Sequence, residues 1–312
     1  MPVELSALGA DRFDGWREDV KQRLITRSRE SGMRAGDDAI DFAEAFLRDL
    51  LPQGPATPSA GLFVIVESSQ ELGALWLADS GGKLFLVDLG LSVDLDARQR
   101  EELFSTIRRI AVQREARLIS VALFPQDAQA HALIADRGFA VASIQMLLEP
   151  LPERRVAPHV IVSPMTAERF RRFAEHSEAS YAEDLVAAGR YTADEAMIES
   201  RRQMRLELPE GIDTPGQELF TASVDGVEVG VLWLGLRRRD GRPHAFILDI
   251  EVAQDQRRRG YGRELMHAAE REARRMGAES IGLHVFGFNT GAIDLYESLG
   301  YRRVEETFLL NL

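Results

Sequence analysis

The chain has 312 residues, of which 45% are hydrophobic and 28% charged, and a formal net charge of −12. That is enough for two ordinary domains, and it excludes a collagen-like, low-complexity or wholly disordered chain. With no cysteine there is no disulfide, no thiolate metal or cluster site and no thiol nucleophile, and an acidic chain is a poor bulk partner for nucleic acid.

The elements fall into two similar series. In the first, residues 37–50 are predicted helical, and a turn rich in Pro and Gly follows (LPQGPATP, from Leu51). Short strands are expected over 62–67, 72–78 and 83–91, then a helix, a strand, a short helix and a last strand over 140–148. In the second, the matching helix is 193–207 and the matching turn is LPEGIDTP, from Leu208. Strands are expected over 219–224, 228–236 and 245–252, with Asp225-Gly226 as a hairpin turn, and the last strand over 302–310. Leu75-Trp76-Leu77 recurs as Leu232-Trp233-Leu234, and LIADRGF from Leu133 recurs as LYESLGY from Leu295. A period this long indicates a duplicated domain. The expected division is 1–150, a Pro- and Arg-rich linker over 151–158, and 159–312. Strands and helices in this order give an α/β (α+β) fold, each copy with a central mixed sheet flanked by helices.

No apolar run approaches the roughly 20 residues of a membrane span, and the N-terminal stretch has acids and no apolar h-region. No membrane association and a cytoplasmic location are therefore expected. Six histidines without an HExxH-type pair give no reason to expect a metal.

Only the second copy carries FILDIEVAQDQRRRGYGR, from Phe246. A strand ends at Val252, and a helix follows with Leu265, Met266, Ala269, Ala273 and Met276 at helical spacing. An Arg- and Gly-containing loop at a helix N-terminus is an anion cradle. Its N–H groups lack intrahelical partners, the helix dipole favours negative charge, and Gly260 and Gly262 admit close approach. Arg257, Arg258, Arg259 and Arg263 add charge-assisted contacts. The pattern is R-x-x-G-x-G, neither GxGxxG nor GxxxxGK[ST].

Downstream, IGLHVFGFNTGAIDLYESLGY (from Ile281) supplies an apolar strand, Asn289, and a helix bearing Tyr296. With these two blocks in order, the second copy resembles the GCN5-related N-acetyltransferase (GNAT) superfamily, and in particular small bacterial members of undefined substrate. The first copy joins that resemblance through the internal repeat.

The resemblance implies acetyl-CoA as cosubstrate, without metal, and transfer of the acetyl group to a primary amine by direct attack. It places Ile250 and Val252 along the pantetheine arm and Arg257, Arg258, Arg259, Gly260, Tyr261, Gly262 and Arg263 on the pyrophosphate. It places Asn289 on the cofactor arm and Tyr296 as the acid that protonates the departing thiolate. Asp249 and Glu251 are expected on one strand face, opposite Phe246, Leu248, Ile250 and Val252. Glu251 is the first choice to receive the amine's proton, and His284 is a further candidate. The acceptor is expected to be an amine-bearing small molecule or a peptide N-terminus.

In the first copy, Asp96 falls opposite Arg257, Gln99 opposite Gly260, Glu101 opposite Gly262, and Ile134 opposite Tyr296. That copy is expected not to bind acetyl-CoA and to stand in for the second subunit of a dimer. The chain is then a monomeric pseudo-dimer or a homodimer. Alternative readings are a non-catalytic acyl-CoA-binding sensor or assembly module, a mycothiol-synthase-like tandem acetyltransferase, and transfer of a larger acyl group.

Overall fold

A computed structural model describes residues 2–154 and 159–312. The chain divides into two compact units. Unit 1 runs to Ala142 and takes in Val304–Leu312, and unit 2 is Ser143–Arg303. The unit boundaries thus lie at 142/143 and 303/304. Of the linker expected at 151–158, residues 155–158 lie outside the described residues.

Unit 1 contains β1 (Glu4–Ala7), α1 (Phe13–Ser31), α2 (Asp38–Leu50), β2 (Ala60–Glu67), β3 (Gln70–Ser80) and β4 (Lys83–Leu91). It continues with α3 (Ala97–Gln113), β5 (Leu118–Leu123) and α4 (Ala128–Ile134). The chain next forms β6 (Ala140–Leu148), most of which lies in unit 2. Unit 2 goes on with β7 (Ile161–Pro164), α5 (Ala167–Ala187), α6 (Ala193–Glu207), β8 (Gln217–Val224), β9 (Val227–Arg239) and β10 (Arg242–Val252). It closes with α7 (Tyr261–Arg275), β11 (Ser280–Phe286) and α8 (Thr290–Ser298). The last strand, β12 (Arg302–Asn311), belongs mostly to unit 1.

In unit 1 the neighbours run β1-β2-β3-β4-β5-β12, and in unit 2 β6-β11-β10-β9-β8-β7. Each sheet is antiparallel except for one parallel pair, β4 with β5 and β10 with β11. The final strand of each sequence repeat therefore pairs inside the other unit: β6 lies antiparallel to β11, and β12 antiparallel to β5.

Both sheet faces are covered, so the strands read as almost continuous apolar runs. In β3, Leu75 and Leu77 pack with Leu84, Leu103 and Ile107. Trp76 points to the other face and packs with Trp16, Val20, Leu24 and Leu47 of α1 and α2. Unit 2 repeats this: Trp233 packs against Phe173 of α5 with ring centroids 6.0 Å apart, while Leu265, Met266, Ala269 and Ala273 are the buried stripe of α7. Thr166 caps α5, and Thr192 with Glu195 forms a capping box at the start of α6, which fixes where both helices begin. The β8–β9 hairpin turns at Asp225 and Gly226, both at positive φ, as a type I′ turn requires.

Candidate active site

The parallel pair β10–β11 is in register only from His244↔Ser280 to Ile247↔Leu283. Beyond Ile247 the two strands part, so the stretch of β10 holding Ile250 and Val252 has its β11-facing edge open. A β-bulge intervenes there: against β9, Ile247 pairs with Leu234 and the next paired residue is Asp249 with Trp233. The extra residue, Leu248, packs with Phe170, Phe173 and Trp233, beneath the same helix that contacts Asp249. The strict alternation expected from sequence, with Leu248 opposite Asp249, therefore fails. The bulge resets the side-chain period by one residue.

Asp249 accepts a hydrogen bond from the Ser177 hydroxyl of α5 at 2.8 Å. It is enclosed by protein yet keeps an accessible edge. Burial pushes its carboxyl up to about 6, the Ser177 bond opposes that, and the nearby Glu251 charge adds to it. Two residues on, Glu251 meets His176 Nε2 at 2.9 Å and Arg257 Nη2 at 3.4 Å. Asp184, two turns along α5 from Ser177, has its carboxyl raised by burial first and then by Glu183 and Glu251. Tyr296 on α8 is 8% exposed. Burial, and then the Asp249 charge, push its phenol up to about 12, so it stays protonated across the working range of an enzyme. His284 is the first β11 residue beyond the paired region. Burial holds its imidazole down to about 4, which makes it a neutral ring and a weak base.

The loop after β10 is a short 3-10 turn over Gln254–Gln256, then Arg257 to Arg259 and Gly260 as N-cap of α7. Gly260 has φ 87°, and nothing lies within 4 Å of where a Cβ would stand. Arg258 is also left-handed at φ 62°, a conformation that costs a non-glycine residue about 1 kcal/mol or more. No side chain caps α7, so its first N–H groups face outward, as an anion site requires. Arg257 is steadied by donating from Nε to the Val252 carbonyl at 3.0 Å, and Arg259 reaches the Asp255 carbonyl at 3.4 Å. Tyr261 and Gly262 form the first turn of α7.

Two of the expected cofactor contacts are engaged elsewhere. Arg263 donates to the Ser298 hydroxyl at 2.9 Å, and the Asn289 side chain caps α8 by accepting from Ala292 N–H at 3.3 Å. The sequence reading missed Ser177, His176 and Asp184. The repeat held a signal for the first: Ser177 takes the place of the fully buried Val20 of α1, and a polar residue at a core position usually has a specific partner.

Unit 1 builds the same frame with different contents. Asp88 pairs with Trp76 across the strands as Asp249 does with Trp233, and it is 2% exposed. Arg23 meets it at 2.7 Å and Arg27 binds its other oxygen, while Arg27 Nη1 lies 3.6 Å from Asp127. The α3 N-terminus is closed by its own carboxylate: Asp96 accepts from Gln99 N–H, and the Gln99 side chain returns the bond. Ile134, where a tyrosine would stand, is buried in the core.

With this geometry in place, the likenesses to known proteins are as follows. Residues 181–301 match the acetyltransferase (GNAT) family. The uncharacterized N-acetyltransferase YycN of Bacillus subtilis is 31% identical over 147 residues, spanning 47% of this chain and 94% of the relative. The mycothiol acetyltransferase of Propionibacterium freudenreichii is 34% identical over 87 residues, 28% of each chain. A crystal structure of a GCN5-related N-acetyltransferase from Sphaerobacter thermophilus aligns with 99% of this chain and 95% of its own, at TM-score 0.53 and 16% identity. Among the described residues, no helix is long and apolar enough to cross a membrane and no cluster of metal-ligating side chains is present.

Proposed function

The chain belongs to the GNAT family and is a GNAT-type N-acetyltransferase, and from that premise we propose that unit 2 alone performs acetyl transfer from acetyl-CoA to a primary amine. The observation that carries this reading is the contrast between two helix starts. In unit 2, α7 begins at an uncapped Gly260 in a loop of arginines, beside a strand whose edge is open. In unit 1, α3 begins at a capping box that satisfies its own N–H groups. One start is ready for a pyrophosphate and the other is filled by Asp96.

Arg257, Arg258, Arg259, Gly260, Tyr261 and Gly262 hold the pyrophosphate, with Arg263 and Asn289 at its margin. Ile250 and Val252 offer backbone groups to the pantetheine arm. The amine nitrogen attacks the thioester carbonyl, the C–N bond forms and the C–S bond breaks. Tyr296 gives its proton to the departing sulfur; burial pushes its phenol up to about 12, so it still carries that proton when the C–S bond breaks. The amine's proton leaves through Glu251, relayed by His176 to water, while Asp249, steadied by Ser177, holds the developing positive charge.

A sensor without turnover would have no use for a phenol at the end of α8, so Tyr296 favours the enzyme. A mycothiol-type acceptor rests on a match to 28% of the relative and is not preferred. Calorimetric titration with acetyl-CoA tests the assignment. One site per chain, abolished by Gly260→Asp, is expected. Two sites, or one that survives the substitution, would reassign the cofactor site.

A further inference from the structure

The two units show one scaffold with and without a filled cleft. The equivalence is anchored at three points. Trp76↔Asp88 matches Trp233↔Asp249 in strand register. The Trp16–Trp76 ring pair matches Phe173–Trp233. A Cβ on Gly54 would touch Phe13 as one on Gly211 would touch Phe170. With these anchors, Arg23 corresponds to Ser180, Arg27 to Asp184, and Gly90 to Glu251.

At each of the three positions the charge moves the same way. Unit 1 supplies two guanidinium groups to its buried aspartate, and the space of the missing acid is occupied: a Cβ on Gly90 would stand 2.6 Å from Arg23 Cζ. Unit 2 withdraws both cations and adds two carboxylates. Asp184 of α5 and Glu251 of β10 both act electrostatically on Asp249, and Glu251 acts on Asp184 as well. The positive groups nearby do not replace the lost pair. Arg257 sits at 3.4 Å from Glu251 but lies in the arginine loop, His176 pairs with Glu251 at 2.9 Å, and Arg190 acts electrostatically on Tyr181 and His284. A second feature points to a ligand. His284, enclosed at the point where the strands part, makes a ring contact with Phe286 and has no hydrogen-bond partner among the described residues. A neutral, unpartnered imidazole of this kind can accept a hydrogen bond from an N–H donor.

We propose that the acceptor is a small dication: a primary amine carrying a second ammonium or guanidinium group, which sits against Asp249, Asp184 and Glu251 as Arg23 and Arg27 sit against Asp88. This rests on the acetyl-transfer reading above. The reacting amine loses one proton through Glu251 and forms the C–N bond, the C–S bond breaks, and sulfur takes the Tyr296 proton. The second cation keeps its charge throughout. Its role is to cancel the repulsion of three carboxylates gathered in one cleft, which unit 1 cancels from within its own chain.

The test measures kcat/KM with acetyl-CoA for 1,4-diaminobutane, 1,5-diaminopentane and agmatine against n-butylamine, whose amine is of similar basicity but whose tail is neutral. The dications are expected to exceed n-butylamine at least tenfold. Asp184→Asn is expected to erase most of that preference through KM. Asp184→Arg, which installs the unit 1 cation, is expected to lower dication turnover more than tenfold while calorimetric acetyl-CoA affinity stays within twofold. Equal kcat/KM for n-butylamine and the dications, an unchanged preference in Asp184→Asn, or a protein that binds acetyl-CoA but turns over none of the three dications would overturn the proposal. Failure to bind acetyl-CoA would instead bring down the acetyl-transfer reading, and this proposal with it.

Discussion

The Ser177 hydroxyl donates to Asp249 Oδ2 at 2.8 Å, tying the middle of α5 to the first paired residue after the β10 bulge. This bond is the brake on a carboxyl that burial alone would push higher than about 6. Ser177→Ala releases it. The expected result is an acid limb of the kcat/KM pH profile displaced toward higher pH, by about half a unit to one unit, with kcat at pH 8.5 close to wild type. A limb that does not move would show that Asp249 ionisation does not govern turnover.

Asp249 also carries a stability cost whose sign is fixed by its raised pKa. The unfolded chain ionises this carboxyl near its ordinary value of 3.8 and the folded chain only near 6, so ionisation lowers stability as pH rises through that window. Asp249→Asn removes the charge and keeps the shape. It is expected to stabilise unit 2 by on the order of 1–3 kcal/mol at pH 7, with the gain vanishing below about pH 4, and to reduce activity at least tenfold. Thermal melts at pH 4 and pH 7.5 check the stability arm.

Tyr296→Phe is expected to lower kcat between tenfold and a thousandfold while leaving acetyl-CoA affinity unchanged, because the ring stays packed and only the proton donor is lost. Since the phenol sits near 12, the wild type should show no loss of rate from Tyr296 ionisation up to pH 9.5. An alkaline limb below that pH, absent in Tyr296→Phe, would contradict the assignment.

Gly260→Ala tests the cradle without adding charge. There is space for a methyl group, but φ is 87°, and a left-handed alanine costs about 1–2 kcal/mol. Acetyl-CoA affinity should fall about tenfold with little change in Tm if the loop shifts to relieve the strain. Full affinity in Gly260→Ala would show that the loop's left-handed turn is not needed for binding.

The strand exchange makes a prediction about fragments. A fragment of residues 159–312 lacks β6, whose Ser143–Leu148 stretch pairs with β11, and leaves the β11 edge bare. It should aggregate or melt well below the full chain. A fragment of residues 143–303 keeps β6 and omits the stretch that unit 1 uses, and should be soluble and bind acetyl-CoA. Size-exclusion chromatography and calorimetry on the two fragments distinguish the outcomes.

Much of this protein is legible from sequence. The duplication shows in the recurring LP-x-G-x-x-TP turn and Leu-Trp-Leu strand, because a fold buried on both sheet faces must keep its apolar runs and its turn residues at fixed intervals. The helices at 37–50 and 193–207 and the strands at 83–91 and 140–148 follow from that periodicity. The R-x-x-G-x-G loop reads as an anion site because glycine and arginine there act locally, through backbone freedom and charge. The structure adds that Asp88 and Asp249 occupy equivalent positions, each opposite the repeated tryptophan of its own unit.

What only the tertiary structure decided is what depends on partners distant in the chain. A bulge at Leu248 moves that residue to the face of Asp249, and no local pattern marks where a strand will gain an extra residue. The exchange of β6 and β12 between units is equally silent, since backbone pairing is blind to which copy supplies the strand. Above all, Ser177 and His176 on α5 come to Asp249 and Glu251, and Arg23 and Arg27 on α1 come to Asp88. A carboxylate in a strand pattern is only a charge; whether it is cancelled or left exposed to a ligand is set by the helix that the fold lays across it.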